Sequence, residues 1–183
     1  MTILVDMDDT LEQQLDAWVR GVNAAYGTNA SYEDVTDWDV SKAFPGLTRA
    51  EVYAIPAAPG FWKTVKPVPG AAKALRRFLN AGHQVYVVTA AQYETLAEKM
   101  DDVLFKYFPF LTWEQVIVTA NKQLLKGDVL IDDGVHNLLG GDYAKILMTA
   151  PHNRDFDAEA HGMVRVSNWA EAEAAVLKLT EER

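Results

Sequence analysis

Short apolar runs alternate with longer amphipathic stretches along most of this chain. Runs rich in β-branched residues are typical of strands buried in a parallel sheet, and such runs lie at 3–5, 84–88, 115–118 and 128–131. Weaker runs predict two more strands, at 145–148 and 163–166. Helical periodicity predicts helices over 70–81, 92–107 and 168–181. Because strands alternate with helices, the pattern predicts an α/β fold with a Rossmann-like, doubly wound parallel sheet.

The region after the first strand differs, because it shows helical spacing and no strand pattern. Apolar residues recur at helical intervals from Leu15 to Tyr26, and Gly27 provides a stop. A short helix is predicted over 48–54, since Thr48 followed by Glu51 forms a capping-box pattern. We therefore predict a small helical cap at 12–65, inserted into a core made of 1–11 and 66–183.

Composition narrows the functional classes. The 183 residues allow one good core with a small accessory lobe. The net charge of −9, without a basic block, argues against binding to a nucleic acid polymer or an anionic membrane, but it is compatible with a small phosphorylated substrate. The lack of cysteine excludes disulfides, thiolate catalysis and cysteine-based zinc sites. No apolar run approaches the ~20 residues of a membrane helix, and no secretory signal is visible, so we expect a cytoplasmic protein.

Chemically active side chains follow several of the predicted strands. Asp6 and Asp8 follow the first apolar run, Thr89 follows the second, and the pair 132–133 follows the fourth. The carboxyl ends of parallel strands share one edge of the sheet, so these groups should converge. A lysine behind the third strand would join them, and its spacing to the acidic pair favours Lys122 over Lys126.

These residue types suit phosphoryl transfer. One carboxylate can attack phosphorus, and a second carboxyl can move the proton of the leaving alcohol. A hydroxyl and an ammonium can hold the phosphate oxygens, while further carboxylates hold a hard cation such as Mg²⁺.

The same residues, in the same order, resemble the four motifs of the haloacid dehalogenase superfamily. The motifs are Asp6-Met-Asp8-Asp-Thr10-Leu, Thr89, Lys122 and Ile131-Asp-Asp133, and the resemblance covers 1–6 and about 67–150. It implies a nucleophile at Asp6 and a general acid/base at Asp8. It also implies phosphate binding by Thr89 and Lys122. Mg²⁺ would be held by Asp6, the Asp8 carbonyl, Asp132 and Asp133.

A narrower resemblance includes the cap. Gly60-Phe-Trp62 with Pro67-Val-Pro-Gly70, Thr119-x-x-Lys122 and the segment 132–137 are similar to the 5'(3')-deoxyribonucleotidase family. This resemblance implies a nucleoside monophosphatase in which Phe61, Trp62 and Trp38 line the pocket for the base. A cap this short leaves room for a homodimer without requiring one.

Two departures from that family bear on the substrate. Asp9-Thr10 stands where the family usually has glycine and a small aliphatic residue, and Thr89 is followed by Ala90-Ala91-Gln92 without the expected serine and downstream basic residue. Two alternatives therefore stay open. One is a phosphatase of the same chemistry that acts on another small ester. The other is a catalytically silent relative that binds a nucleotide or a protein.

Overall fold

The apolar runs form a six-stranded sheet. In the computed structural model, which describes residues 1–181, the strands are Thr2–Asp6 (β1), Gln84–Thr89 (β2), Val116–Val118 (β3), Val129–Asp132 (β4), Ala144–Met148 (β5) and Met163–Val166 (β6). All neighbouring strands pair in parallel, in the order β3-β2-β1-β4-β5-β6. The chain first winds to one side of β1 and then to the other, which is the doubly wound arrangement. The predicted fold class is confirmed.

Helices connect these strands. The described α-helices are Gln14–Tyr26 (α1), Arg49–Ala57 (α2), Ala71–Asn80 (α3), Leu96–Lys99 (α4), Phe105–Tyr107 (α5), Val135–Leu138 (α6) and Trp169–Glu181 (α7). The helix predicted over 92–107 begins only at Leu96, and a π-helix, Met100–Leu104, joins α4 to α5. The prediction was too long at its start because residues 92–94 are exposed and have no buried face to hold a helix.

The core occupies both faces of the sheet. Ile3 and Val5 of β1 pack into the larger apolar cluster, which includes residues of α1, α3 and α7. Leu4, which points to the opposite face, packs with Leu130 and Leu147. With β1 covered on both faces, its carboxyl end is held rigidly in the centre of the sheet.

The regular elements within residues 12–65 are helical. They comprise α1, α2 and the 3-10 helices Tyr32–Asp34, Val40–Ala43 and Phe61–Thr64. Trp18 joins α1 to α2, since its Nε1 donates to the Val52 carbonyl at 2.7 Å and its ring meets the Tyr53 ring edge-on. Where the chain leaves and re-enters the α/β core, Glu12 and Pro67 form an antiparallel bridge. No helix in the described chain is long and apolar enough to cross a membrane.

Candidate active site

Three carboxylates meet at the carboxyl edge of the sheet. Asp6 ends β1, Asp132 ends β4, and Asp133 follows directly. Because Val5 is paired with Ile131, the residues that follow them emerge side by side. One oxygen from each of the three side chains lies within 4.8 Å of the others, and all three residues are buried. We call these residues, with Lys122, the acidic cluster.

Lys122 is the cation of the acidic cluster. Its Nζ lies 2.5 Å from Asp6 Oδ1 and 2.7 Å from Asp132 Oδ2, and its side chain is buried. Lys126 is exposed, so the lysine favoured by spacing is the one that reaches the carboxylates. Burial opposes the charge on Lys122, but Asp6 and Asp132 outweigh that effect and raise the pKa of its ammonium.

The acidic cluster has more negative than positive groups. Burial and the charge of Asp132 raise the pKa of Asp6 to about 7. Burial also raises the pKa of Asp132 to about 6, against the lowering effect of Lys122. Three carboxylates against one ammonium leave an excess of two negative charges when all are ionised. Hard oxygen ligands with that charge suit a divalent cation such as Mg²⁺.

Asp132 and Asp133 are held differently. Asp132 Oδ1 accepts hydrogen bonds from the Gly134 amide at 2.7 Å and from Asn137 Nδ2 at 3.0 Å. A Cβ at position 134 would lie 2.7 Å from Asn137 Nδ2, so a side chain here would displace the amide that bonds to Asp132. Asp133 instead lines the cavity described below, with its Oδ2 3.3 Å from His152 Nε2. Asp132 is therefore fixed by protein donors, while Asp133 faces the open space.

A second group of charged residues surrounds Asp8. Lys99 Nζ, from the end of α4, lies 2.5 Å from Asp8 Oδ1 and 2.7 Å from Asp8 Oδ2. The same Nζ donates to Thr89 Oγ1 at 2.7 Å. Glu12 is fully buried and pairs with Asp8 through its backbone bridge and its carboxyl group. We call Asp8, Glu12, Thr89 and Lys99 the Lys99 cluster.

Protonation differs between the two carboxyl groups of the Lys99 cluster. Burial raises the pKa of Glu12 well above its usual value, and the charge of Asp8 raises it further. Burial would also raise the pKa of Asp8, but Lys99 and the hydrogen bond with Glu12 lower it overall. No described residue donates a hydrogen bond to either carboxyl oxygen of Glu12. A proton on Glu12 that is shared with Asp8 gives both carboxyl groups a hydrogen-bond partner.

Both clusters open into one cavity of about 330 Å³, which is within the usual range for small-molecule sites. Trp62 and Trp38, two of the three aromatic residues predicted to bind substrate, line it. Trp62 lies under Lys99, whose Nζ is 4.9 Å from the ring centre, and Trp38 meets His136 and His152 edge-on. Phe61 is not among the lining residues and packs edge-on against Trp62 instead.

Asp9 connects the turn that follows β1 to the helical segment 12–65. Its φ of 52° lies in the left-handed region, where glycine is at ease and aspartate is better tolerated than most residues. Its carboxylate accepts a hydrogen bond from the Leu15 amide at 2.9 Å, in the first turn of α1. Asp9 therefore has a backbone conformation that glycine also favours, and its side chain adds a capping hydrogen bond to α1, the first helix after this turn.

Comparison with known proteins agrees with this geometry. The family model described as "5' nucleotidase, deoxy (Pyrimidine), cytosolic type C protein" matches residues 1–181. The chain belongs to this family. Its relatives include the 5'(3')-deoxyribonucleotidase of Bacillus subtilis (strain 168), 32% identical over 96% of this chain and 98% of that protein. The 5'(3')-deoxyribonucleotidase of Clostridium acetobutylicum is 31% identical over 94% and 93% of the two chains. The predicted family is confirmed, and the protein is a phosphoric monoester hydrolase.

Solved structures share the fold. A haloacid dehalogenase family hydrolase from Deinococcus radiodurans R1, with bound phosphate and sodium, has a TM-score of 0.66 at 18% identity and covers 98% of this chain and 96% of its own. A haloacid dehalogenase-like hydrolase from Streptococcus pneumoniae has a TM-score of 0.68 at 12% identity, with 96% and 97% covered. This nucleotidase-family chain therefore shares the α/β fold of these two hydrolases.

Sequence reasoning missed several residues of the site. One of them is Lys99, a basic residue ten positions after Thr89 whose Nζ donates to the Thr89 hydroxyl. Its signal was a charged residue among Leu96, Met100 and Val103, on the apolar face of a predicted helix. Glu12 and His152 gave no comparable signal, because only the folded chain brings them to Asp8 and Asp133.

Proposed function

We propose that the protein is a Mg²⁺-dependent phosphatase that hydrolyses nucleoside monophosphates through an aspartyl-phosphate, in the manner of a 5'(3')-deoxyribonucleotidase. One observation carries the proposal. Two aspartates at the end of one strand face the same cavity with different partners, Asp6 beside Lys122 and the other carboxylates, and Asp8 beside Lys99. This difference supports separate tasks for the two side chains, one as nucleophile and one as acid/base.

In the first step, a carboxylate oxygen of Asp6 forms a bond to phosphorus. The bond from phosphorus to the ester oxygen breaks and its electron pair stays on that oxygen. Asp8 passes on the proton that it shares with Glu12, which makes the leaving alcohol. Lys122 and the hydroxyl of Thr89 hold the phosphate oxygens while charge builds on them. The Asp6 carboxyl must be ionised to attack. Burial and Asp132 oppose ionisation, whereas Lys122 favours it, and a bound Mg²⁺ would favour it further.

In the second step, Asp8 removes a proton from water as the water oxygen bonds to phosphorus. The bond to Asp6 breaks, its electron pair returns to the carboxylate, and inorganic phosphate leaves. Mg²⁺ would be held by Asp6, the Asp8 carbonyl, Asp132 and Asp133, with Asp133 as a direct ligand, and would offset the charge of phosphate and carboxylates. The excess negative charge of the acidic cluster supports this assignment.

The cavity supports a substrate with a flat group attached to the phosphate. Trp62 and Trp38 both line it, and a nucleobase can stack on either indole. Phe61 supports the orientation of Trp62 from behind. The acidic net charge is no obstacle, because Lys122 and Lys99 are the local cations at the phosphate end.

A phosphate-release screen tests the proposal. The protein is incubated with Mg²⁺ and with ribo- and deoxyribonucleoside monophosphates carrying 5' or 3' phosphates, beside common sugar phosphates. We expect the highest kcat/KM with a deoxyribonucleotide. A clear preference for a sugar phosphate would favour the alternative phosphatase, and no release from any ester would favour a silent relative.

A further inference from the structure

Lys99 is a buried cation that the steps above do not use. Its side chain is 1% exposed, although lysine is almost never fully buried unless it is paired. It reaches the cavity from the last residue of α4, ten positions after Thr89. Burial of an ammonium is costly, so the contacts that compensate for this cost indicate what the side chain does.

Those contacts join two groups with different tasks. Nζ touches both carboxylate oxygens of Asp8 and also donates to Thr89 Oγ1. Within residues 1–181, Lys99 is the one cation at ion-pair distance from Asp8. The proton-transferring carboxyl and the phosphate-binding hydroxyl are therefore fixed to the same nitrogen atom.

The surroundings of Lys99 restrict its movement. The indole of Trp62 lies 4.9 Å from Nζ, close enough for a cation–π interaction. The π-helix that follows Lys99 contributes Met100, Val103 and Leu104 to the core. A long flexible side chain is thus held between a packed helix and an aromatic ring. Such restraint suits the positioning of another group.

We propose that Lys99 is a positioning residue for proton transfer, which holds the Asp8 carboxyl at a fixed place relative to a phosphate bound at Thr89. The inference rests on the proposed function. Lys99 itself gives up no proton. As the phosphorus–ester oxygen bond breaks, the ester oxygen keeps the electron pair and takes the proton of Asp8, and the transfer is fast only when that carboxyl faces the ester oxygen.

Two substrates separate this role from simple phosphate binding. A deoxyribonucleoside monophosphate releases an alkoxide that needs a proton, whereas p-nitrophenyl phosphate releases a phenolate that needs little help. In Lys99→Met, we expect kcat/KM for the nucleotide, which reports the step that releases the alcohol, to fall by about 10²-fold or more, since general acid catalysis contributes roughly 10²–10⁴-fold. We expect kcat/KM for p-nitrophenyl phosphate to fall at least about tenfold less.

Two further variants complete the design. Lys99→Arg keeps a cation on Asp8 and should restore part of the nucleotide rate. Lys106→Met removes an exposed lysine from the same helical run and should leave both rates unchanged. Circular dichroism and melting temperature monitor folding. Should Lys99→Met fail to fold, both rates are measured in Lys99→Arg instead. The N–H groups of the arginine lie at different positions from the lysine Nζ, so the nucleotide rate must still fall more than the p-nitrophenyl phosphate rate.

The outcomes are distinct. A loss that depends on the leaving group supports the inference. Equal losses of kcat/KM on both substrates overturn it and make Lys99 a phosphate-binding or structural residue. If the unmodified protein releases phosphate from neither substrate, the proposed function itself fails.

Discussion

The acidic cluster and the Lys99 cluster begin two residues apart on the same turn, yet different partners complete them. The acidic cluster sets three carboxylates against one ammonium, and burial with the neighbouring charge of Asp132 raises the pKa of Asp6 to about 7. The Lys99 cluster sets two carboxyl groups against one ammonium, and Lys99 together with the hydrogen bond from Glu12 overcomes the effect of burial and lowers the pKa of Asp8.

The difference in charge explains a difference in chemistry. An excess of two negative charges calls for a divalent cation, whereas an excess of one can be balanced by a single proton on Glu12. The groups proposed to bind the metal and to transfer the proton can therefore lie side by side. Neighbouring charges and hydrogen bonds, more than burial, separate the two aspartates.

The largest expected effect separates the two aspartates directly. Asp6→Asn removes the proposed nucleophile and should lower kcat/KM by at least about 10⁴-fold on every phosphate ester. Asp8→Asn should lower kcat/KM by roughly 10²–10⁴-fold on nucleotides and by less on p-nitrophenyl phosphate. Steady-state kinetics with both esters measures the contrast. Retained turnover in Asp6→Asn, with circular dichroism unchanged, would rule out the proposed nucleophile.

Removal of Mg²⁺ tests whether a bound cation balances the negative charge of the acidic cluster. EDTA should abolish phosphate release, and added Mg²⁺ should restore it, because the repulsion among Asp6, Asp132 and Asp133 returns when the cation leaves. In Asp133→Asn, the Mg²⁺ concentration for half-maximal activity should rise at least about tenfold, as expected for loss of a charged ligand. Activity that is indifferent to EDTA would contradict the assignment of these carboxylates.

The aromatic residues flank the two clusters, Trp38 beside His152 and Trp62 beside Lys99. Trp38 is 57% exposed, so Trp38→Ala should leave stability nearly intact. Loss of one stacked base should cost about 1–3 kcal/mol, which corresponds to a rise of about 5- to 150-fold in KM for the nucleotide. KM for p-nitrophenyl phosphate is the internal control. Equal changes for both substrates would make Trp38 a residue of the cavity wall without a role in base binding.

The smallest effect is on the pH dependence of stability in the metal-free protein. Asp6 and Asp132 have pKa values of about 7 and about 6 in the folded state, above the ordinary 3.8. Raised carboxyl pKa values favour the folded state at low pH, and this contribution is lost as pH rises through about 6 to 7. Mg²⁺ replaces the lost protons, so the melting-temperature difference between Mg²⁺ and EDTA should be larger at about pH 8 than at about pH 5.

We expect that difference to be a few degrees, since about 1 kcal/mol shifts the melting temperature by roughly 2–4 °C in a domain of this size. Differential scanning calorimetry provides the measurement. A melting-temperature difference between Mg²⁺ and EDTA that does not change with pH would show that protons and Mg²⁺ do not compete for the acidic cluster.

The sequence predicted the parts of the site that depend on strand ends. Asp6, Thr89 and Asp132 each close an apolar run, and a parallel sheet brings such positions together whatever the details of packing. Lys122 was chosen over Lys126 by spacing, and the fold places the first in the acidic cluster and the second in solvent. Local pattern and topology were sufficient for these residues.

Residues that reach the site through side-chain direction were harder to predict. Phe61 and Trp62 are adjacent, but a 3-10 helix turns its residues by about a third of a circle each, so only one of them faces the cavity. Glu12 comes to Asp8 because the chain doubles back beside Pro67, which is a tertiary contact. Apolar periodicity contains no information on either point.

The π-helix Met100–Leu104 has a consequence for how the position of the Lys99 ammonium can change. An α-helix advances by about 100° per residue, and a π-helical turn accommodates one residue more than an α-helical turn. Deletion of one residue from this segment would merge α4 and α5 into a regular helix and leave Lys99 at about the same angle to Phe105, because the π-helical turn loses only its extra residue. Deletion of a second residue would rotate Lys99 by about 100° relative to Phe105 and turn the cation away from Asp8, while every side chain of both clusters kept its identity.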